Sequence, residues 1–252
     1  MSKKENKISK KTHNLSNNSK SAGKDFAYAN RLTALIYNTT KDILQQPVDR
    51  DCYKRLLTTI RQVLQTDTTS KVGNKKVVKG DLSLLNSFKL NNRKYFDSLM
   101  LWKPSITFSN ESKKAIIKLP HNNLNILHNK PDRVSRIRIQ FYAITVDLEE
   151  MTIKAVKTSP LYITRDSTDT ALNTSFSYDG ANNSLLLIVG TCQYYLYEKN
   201  SKTDFPSSNR LYYAADIFEA VPIIKNAVIH YKHQEKENKI IKKTDIPEVG
   251  WN

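Results

Sequence analysis

The chain has 252 residues, of which 39% are apolar and 25% are charged, and its mean hydropathy is −0.55. A chain of this length buries most of its unfolded surface, so the fold needs no metal ion or disulfide to hold it together. No stretch approaches the ~20 consecutive apolar residues of a membrane-spanning helix. The six glycines form neither a dinucleotide-binding nor a phosphate-binding loop motif.

The net charge of +16 is concentrated toward the N-terminus. Residues 1–24 carry seven lysines and one glutamate, and residues 50–96 carry eleven basic and three acidic side chains. Such a charge distribution attracts phosphate backbones and acidic surfaces. Lysine outnumbers arginine thirty to ten, however, whereas sites that read bases favour the bidentate guanidinium. The composition therefore predicts weak, nonspecific affinity for nucleic acid or an acidic surface as one possible property.

The two ends of the chain are polar and charged. We expect residues 1–24 to form a disordered basic tail and residues 230–252 a polar C-terminal tail. The N-terminal segment has no apolar core, so it is not a secretory signal peptide. Cys52 and Cys192 lack the spacing of a redox or metal motif, which indicates a reducing compartment. These features predict a cytoplasmic protein or a component of a larger assembly, and export without a cleavable signal stays open.

Residues 25–96 are predicted to form a helical hairpin with a lysine-rich loop. Apolar residues recur at helical spacing over 25–46, and a second apolar stripe follows Asp49, which we predict to be the N-cap of the second helix. Residues 66–80 form a polar loop that ends in the turn residue Gly80.

Six basic side chains of this region are candidate contacts for a polyanion. They are Lys54, Arg61, Lys71, Lys75, Lys76 and Lys79. Two lie on one flank of the second helix and four lie in the loop, where they could bind phosphate or carboxylate groups. A solvated helix face and a solvated loop would carry the same residues, so this alternative stays open.

From residue 97 to residue 229 the apolar period changes to two, which predicts strands. The predicted strands are 105–109, 114–119, 134–148, 152–164, 174–178, 184–198, 210–219 and 221–229. Since no helical pattern separates them, the strands should pair antiparallel. The predicted fold class is α+β, with an N-terminal helical hairpin followed by an antiparallel β-sandwich of the immunoglobulin or fibronectin type.

The apolar side chains of the predicted strand 134–148 change parity along its length. They are odd-numbered in its first half and even-numbered in its second half. Because a half-buried strand buries every second residue, we predict a β-bulge near Tyr142–Ala143 that reverses the inward face. Arg136, Arg138 and Gln140 would then face solvent.

Tyrosines cluster on the last predicted strands, and three of them are candidates for an interaction surface. They are Tyr195, Tyr197 and Tyr212. Outward-facing tyrosines could contact a protein or stack on bases. Alternatively, they cap the core of the sandwich and keep their hydroxyls in water.

A catalytic or metal site is not indicated. His230 and His233 have helical spacing, but no cysteine or carboxylate pair accompanies them at ligand spacing. Glu149 and Glu150 are adjacent and would point to opposite faces of a strand. No G-x-S-x-G motif is present. We therefore expect no catalytic residue, no metal ion and no cofactor.

Two segments carry a family resemblance. The first contains Ala27-Tyr28-Ala29-Asn30-Arg31 and Gly80-Asp81-Leu82-Ser83-Leu84-Leu85, and the second runs over residues 184–195 and then Tyr212-Tyr213-Ala214-Ala215-Asp216. Their order resembles an uncharacterised family of Bacteroidetes-type bacterial proteins of similar length. In that family a short helical region precedes a β-rich domain. The resemblance implies this architecture and no catalytic residues.

The sequence thus favours a non-enzymatic structural or assembly protein that acts through protein–protein contacts of its β-sandwich and carries a basic N-terminal arm. Its partner would be another protein or a second copy of the chain. The alternative is a nucleic-acid-binding accessory protein that uses the basic tail, the second helix and the 66–80 loop.

Overall fold

The computed structural model describes residues 16–44, 46–100, 102–120, 132–164, 171–178, 182–200 and 202–229. Over these residues it confirms a mixed α+β fold with antiparallel sheets. The predictions for residues 1–15 and for the C-terminal tail from residue 230 lie outside the described residues, as do all five histidines. The immunoglobulin or fibronectin type of the sandwich and the helical hairpin stay predictions.

The helices of the described residues are α1 (Asn17–Ile43), α2 (Cys52–Thr66) and α3 (Phe96–Met100). None of them combines the length and apolar character that a bilayer span requires. Helix α1 begins well before the predicted start at Asp25, so that prediction is wrong and residues 17–24 are helical. The reason is local: Ser16 is the N-cap, and its Oγ accepts a hydrogen bond from Ser19 N at 3.2 Å. The sequence did not indicate α3.

The predicted capping role of Asp49 is wrong. Helix α2 has Asp51 at its N-cap position. The Asp49 carboxylate instead accepts a hydrogen bond from Asn92 N and lies 3.6 Å from Arg55 Nη2 and 3.8 Å from Arg210 Nη1. Asn92 and Arg210 are distant in sequence, so Asp49 ties the entrance of α2 to two other segments of the chain.

The strands of the described residues form two sheets. They are β1 (Phe88–Lys89), β2 (Ser105–Ser109), β3 (Lys114–Leu119), β4 (Val134–Asp147), β5 (Thr152–Lys157), β6 (Leu161–Thr164), β7 (Leu172–Ser177), β8 (Ser184–Glu198), β9 (Thr203–Pro206), β10 (Tyr213–Ile224) and β11 (Ala227–Val228). The large sheet has the order β1-β10-β8-β4-β5, with β11, β6 and β9 paired to β10, β4 and β8, and the small sheet has the order β2-β3-β7.

The predicted strand 152–164 is split into β5 and β6, which both pair with β4, and Thr158 lies in the gap between them. Thr158 N donates to Phe141 O at 2.9 Å, and Thr158 Oγ1 accepts from Phe141 N at 3.2 Å. The predicted strand 210–219 and the first part of the predicted strand 221–229, in contrast, form the single long strand β10, and the short strand β11 then turns back to pair with it.

The large sheet is buried on both faces. Leu185 and Leu187 of β8 pack in one core cluster with α1 and α2, which we call the helix-side core. Leu186 and Ile188 pack in a second cluster with the small sheet, which we call the sheet-side core. Burial on both faces explains why β8 carries an unbroken apolar run where a half-buried strand would alternate.

Coverage of both faces also overturns the predicted bulge near Tyr142–Ala143. The register between β4 and β8 is continuous from Arg136 opposite Tyr195 to Asp147 opposite Ser184, and the irregularity lies before Arg136. The apolar side chains of β4 change from odd-numbered to even-numbered positions because α1 and α2 cover the even-numbered face of this strand only from Tyr142 onward. Gln140 is buried rather than solvent-facing, and its Nε2 donates to Thr158 O at 2.8 Å.

The lysine-rich loop after α2 is held by the buried carboxylate of Asp67. Its Oδ1 accepts hydrogen bonds from Thr69 N at 2.9 Å, Thr69 Oγ1 at 2.8 Å and Ser70 N at 3.0 Å. Its Oδ2 accepts from Lys76 N at 3.2 Å. Burial raises the pKa of Asp67, but these hydrogen bonds outweigh burial and hold the pKa well below its usual value. The carboxylate is therefore ionised and central to the loop.

Two further contacts fix the loop against the helices. Asp25 of α1 accepts hydrogen bonds from Gly73 N at 2.8 Å and from Lys75 N at 3.1 Å. The backbone of Gly80 packs so closely on α2 that a Cβ there would lie 2.1 Å from Val63 O. The loop is thus part of the packed structure.

Candidate functional site

One end of the large sheet carries an aromatic and charged surface. On the helix-side face, the helix-side core reaches Tyr142 on β4 and Val189 on β8 within the described residues. Beyond that limit the same face presents a set that we call the tyrosine–arginine face. Its members are Arg136, Tyr162, Tyr195, Tyr197 and Asp204.

Arg136 lies at the centre of this face and is held by three neighbours. Its guanidinium carbon is 4.9 Å from the ring centroid of Tyr162 and 4.5 Å from that of Tyr195. The two rings are 6.5 Å apart and nearly perpendicular, at 76°. Arg136 Nε also forms an ion pair with Asp204 Oδ2 at 3.0 Å. These contacts fix the guanidinium in one orientation, which lowers the entropy cost of using it in a contact.

The outer part of the face is open. Tyr162 is 41% exposed and Tyr197 is 40% exposed, although both carry large rings. Beside them lies a hollow of about 880 Å³ between β4, β8 and β9. Its charged lining residues in the described part of the chain are Asp132, Arg133, Arg136, Glu198, Lys199 and Asp204. Basic and acidic groups are therefore equal in number around this hollow.

The structure brings together two of the three predicted tyrosines. Tyr195 and Tyr197 lie on the tyrosine–arginine face. Tyr212 packs on the sheet-side core, where its ring stacks on Tyr194 with centroids 5.8 Å apart and an interplanar angle of 2°. Sequence reasoning treated Arg136 as an ordinary solvent-facing residue, because its aromatic neighbours come from other strands and only the register reveals them.

The six candidate polyanion contacts lie on α2 and the loop. Lys54 and Arg61 are exposed on α2, and Lys71 is exposed in the loop. The Arg61 guanidinium lies 5.3 Å from the ring centroid of Phe26, and Lys75 joins them around a hollow of about 280 Å³. The structure thus brings two of the six residues together beside an exposed aromatic ring.

Two other loop lysines contact the protein itself. Lys76 Nζ lies 5.4 Å from the ring centroid of Tyr28, and Lys79 Nζ donates to Ser70 Oγ at 3.3 Å. Lys75 Nζ also reaches Gln65 O at 3.5 Å. Contacts of this kind hold lysines on the loop surface without burying their charge.

Neither cysteine is suited to nucleophilic chemistry. Both are free and buried. Burial raises the pKa of Cys52 to about 11 and raises that of Cys192 well above its usual value. Because the thiolate is the nucleophile, both thiols are inert near neutral pH.

Comparison of the chain with protein-family models, with curated proteins and with solved structures finds no match. The resemblance to the Bacteroidetes-type family therefore stays a prediction.

Proposed function

We propose that this chain is a non-enzymatic assembly protein that associates with a second copy of itself through the tyrosine–arginine face. The observation that carries this proposal is the preorganised guanidinium of Arg136 between two tyrosine rings, next to the exposed ring of Tyr197. Tyrosine and arginine are enriched where protein contacts contribute most binding energy. The two antiparallel sheets would act as the predicted β-sandwich, in the cytoplasm or in a larger assembly.

The charge around this face favours a second copy over a polyanion. Among the described residues, equal numbers of basic and acidic side chains line the large hollow, so this part of the face neither attracts nor repels a polyanion strongly. In a twofold dimer the same patch meets itself, and a patch with both signs of charge can be complementary to its own image. In such a dimer, for example, Lys199 of one copy would meet a residue of opposite charge in Glu198 of the other copy, and the reverse.

The proposal predicts self-association that depends on Arg136 and Tyr197. In sedimentation equilibrium over a concentration series, wild-type protein should populate a dimer. Arg136→Gln and Tyr197→Ala should each raise the dimer dissociation constant about tenfold or more, as expected for central contacts. Phe26→Ala is the matched control, because Phe26 is a 47% exposed aromatic residue on α1, away from the sheet.

Circular dichroism of each variant establishes that the fold is retained, which matters for Arg136→Gln because the ion pair with Asp204 is lost. A wild-type protein that stays monomeric throughout the series contradicts the proposal. So does a dimer that Phe26→Ala weakens as much as Tyr197→Ala does.

A second candidate function, binding of nucleic acid, is favoured by one observation. Arg61, Phe26 and Lys75 surround the smaller hollow, which combines an aromatic ring for stacking with cations for phosphate. The nearby carboxylate of Asp25 is bonded to the backbone of the loop. Retention of generic DNA at low salt that Arg61→Gln lowers, and that Tyr197→Ala leaves unchanged, would favour this function.

A further inference from the structure

The smaller hollow lies where α1, α2 and the lysine-rich loop meet. Helix α1 contributes Phe26, α2 contributes Arg61 and Leu64, and the loop contributes Val72 and Lys75. Two of these side chains are far more exposed than is usual for large apolar residues, since Phe26 is 47% exposed and Val72 is 56% exposed. Exposed apolar side chains that converge on a concave surface are typical of a contact site.

The walls of this hollow are held in place by contacts within the protein. Asp25 of α1 accepts hydrogen bonds from Gly73 N at 2.8 Å and from Lys75 N at 3.1 Å. Gly73 has a φ of +94° and lies so close to α1 that a Cβ there would be 3.0 Å from Ser21 Cβ. The loop and α1 are therefore fixed relative to each other. A preformed hollow lowers the entropy cost of binding a partner.

The surroundings of the hollow are strongly basic. Residues 16–96 carry fifteen basic and six acidic side chains. Arg61 and Lys75 line the hollow, and the acidic lining residue in the described part of the chain is Asp25. Both oxygens of that carboxylate already accept hydrogen bonds from the loop backbone. Lys71, which precedes Val72, is exposed as well. Charge complementarity therefore favours an acidic partner.

The apolar lining favours a peptide over a nucleic acid strand. Arg61 Cζ lies over the Phe26 ring, 5.3 Å from its centroid, so one face of this ring is already covered. Among the described residues no second aromatic ring lines the hollow, whereas single strands are bound by stacking successive bases on aromatic side chains. The other apolar lining residues are the aliphatic Ala22, Leu64 and Val72, which suit an apolar side chain.

We propose that the smaller hollow binds an acidic peptide segment of a partner protein through one large apolar side chain. That side chain lies against Phe26, Leu64 and Val72, and carboxylates on either side of it pair with Arg61 and Lys75. The volume of about 280 Å³ is close to the lower limit of ~300 Å³ for ligand sites, which suits a single anchoring side chain. This proposal does not rest on self-association through the tyrosine–arginine face.

Isothermal titration of the full chain with unlabelled peptides tests the proposal. The first probe has a central tryptophan with two glutamates on each side. The second probe replaces the tryptophan by alanine, and the third replaces the glutamates by lysines. The first probe should bind with a dissociation constant below about 1 mM, and the other two about tenfold or more weakly, because they lack the anchor or the charge. Equal binding of the alanine probe, or no saturable binding of the first probe up to about 1 mM, would overturn the proposal.

Variants locate the site. Phe26→Ala and Val72→Ser should each weaken binding of the first probe about tenfold, because each removes part of the apolar lining. Val156→Ser is the matched control, since Val156 is 50% exposed on β5, and it should leave the affinity unchanged. Thermal unfolding and near-ultraviolet circular dichroism establish that each variant folds. Wild-type affinity in Phe26→Ala or Val72→Ser, or an equal loss in Val156→Ser, would rule out this hollow as the peptide site.

Salt separates the contribution of the cations from that of the apolar lining. Raising the salt concentration from about 50 mM to about 300 mM should weaken binding of the first probe several-fold in wild type. Arg61→Gln should bind more weakly at low salt and show a smaller salt effect; equal salt effects in the two proteins would contradict the proposed pairing. Arg136→Gln should bind the probe as wild type does, so a failure of the proposed self-association leaves this result unaffected.

A single strand of about ten thymidine nucleotides tests the other class of partner. A strand that binds more tightly than the first probe, displaces it and is weakened by Phe26→Ala would overturn the proposal in favour of nucleic acid. Strand binding that Phe26→Ala and Val72→Ser leave unchanged, alongside the expected peptide results, would support a peptide as the occupant of the hollow.

Discussion

Alanine in place of Gly80 is expected to lower the free energy of unfolding by about 3 kcal/mol. The new Cβ would lie 2.1 Å from Val63 O and 3.0 Å from Thr66 Oγ1. The carbonyl belongs to the backbone of α2, so it cannot move aside as a flexible side chain would. The loop must instead shift outward, and it would pull the buried residues Val77 and Val78 away from the helix-side core.

Urea unfolding followed by far-ultraviolet circular dichroism measures this effect. Gly23→Ala is the matched control, because Gly23 lies inside α1 and a Cβ there would meet nothing within 4 Å. That substitution should raise stability by up to about 1 kcal/mol through helix propensity. If Gly80→Ala is no less stable than wild type, the close approach between the loop and α2 is wrong.

Removal of the Asp67 carboxylate is expected to have an effect of similar size. Asp67→Ala deletes the acceptor of four hydrogen bonds and leaves the N–H groups of Thr69, Ser70 and Lys76 without it. Since hydrogen bonds to a charged acceptor contribute more than neutral ones, we expect a loss of about 3 kcal/mol. Asp81→Ala is the control: Asp81 is an exposed cap whose carboxylate accepts from the backbone N and the Oγ of Ser83, and its loss should cost about 1 kcal/mol.

The same carboxylate predicts a pH dependence. The pKa of Asp67 is lower in the folded protein than in the unfolded chain, so its contribution to stability is complete above the unfolded value of about 3.9. That contribution is lost as the pH falls below this value toward the folded pKa. The difference in unfolding free energy between wild type and Asp67→Ala should therefore shrink from pH 5 to pH 3. A difference that stays constant over this range would contradict the assigned hydrogen bonds.

The positions of several strands could be predicted from the sequence, whereas the elements that cover each face of the sheet could not. Strands β2 and β3 lie where the period-two pattern predicts them. The parity change in β4 was real, but its cause is the packing of α1 and α2 on one half of the sheet. The local pattern of a single strand shows that its buried face changes, but not which distant elements cover each half of the strand.

The tyrosine–arginine face could likewise be predicted from the sequence only in part. Tyr195 and Tyr197 were found because they alternate on one strand, which fixes their common face. Tyr212 is the last residue of a 3-10 turn before β10, where strand alternation does not apply, and it packs on the other side. Arg136 and Tyr162 were missed because only the register of β4 with β6 and β8 brings them to Tyr195.

The hydrogen bonds of the carboxylates on and beside the helices could likewise be predicted from the sequence only where the partners are local. The Asp67-Thr68-Thr69-Ser70 run is a local signal for side-chain bonding to nearby backbone, so the Asp67 network could have been read from the sequence. The bonds of Asp49 to Asn92 and of Asp25 to the loop join distant segments, and composition cannot reveal them.

The most direct test of the proposed assembly is cross-linking through a single cysteine beside the tyrosine–arginine face. Cys52 and Cys192 are fully buried, and Asn200 is an exposed residue that lines the large hollow. Asn200→Cys would therefore present the accessible thiol of the described residues without removing a ring of the face. A short bis-maleimide should then yield a covalent dimer of Asn200→Cys, and the yield should fall sharply when Arg136→Gln is added. Phe26→Cys should give little dimer under the same conditions. A monomeric product from Asn200→Cys, or equal dimer yields from Asn200→Cys and Phe26→Cys, would contradict the assignment of this face as the contact between copies.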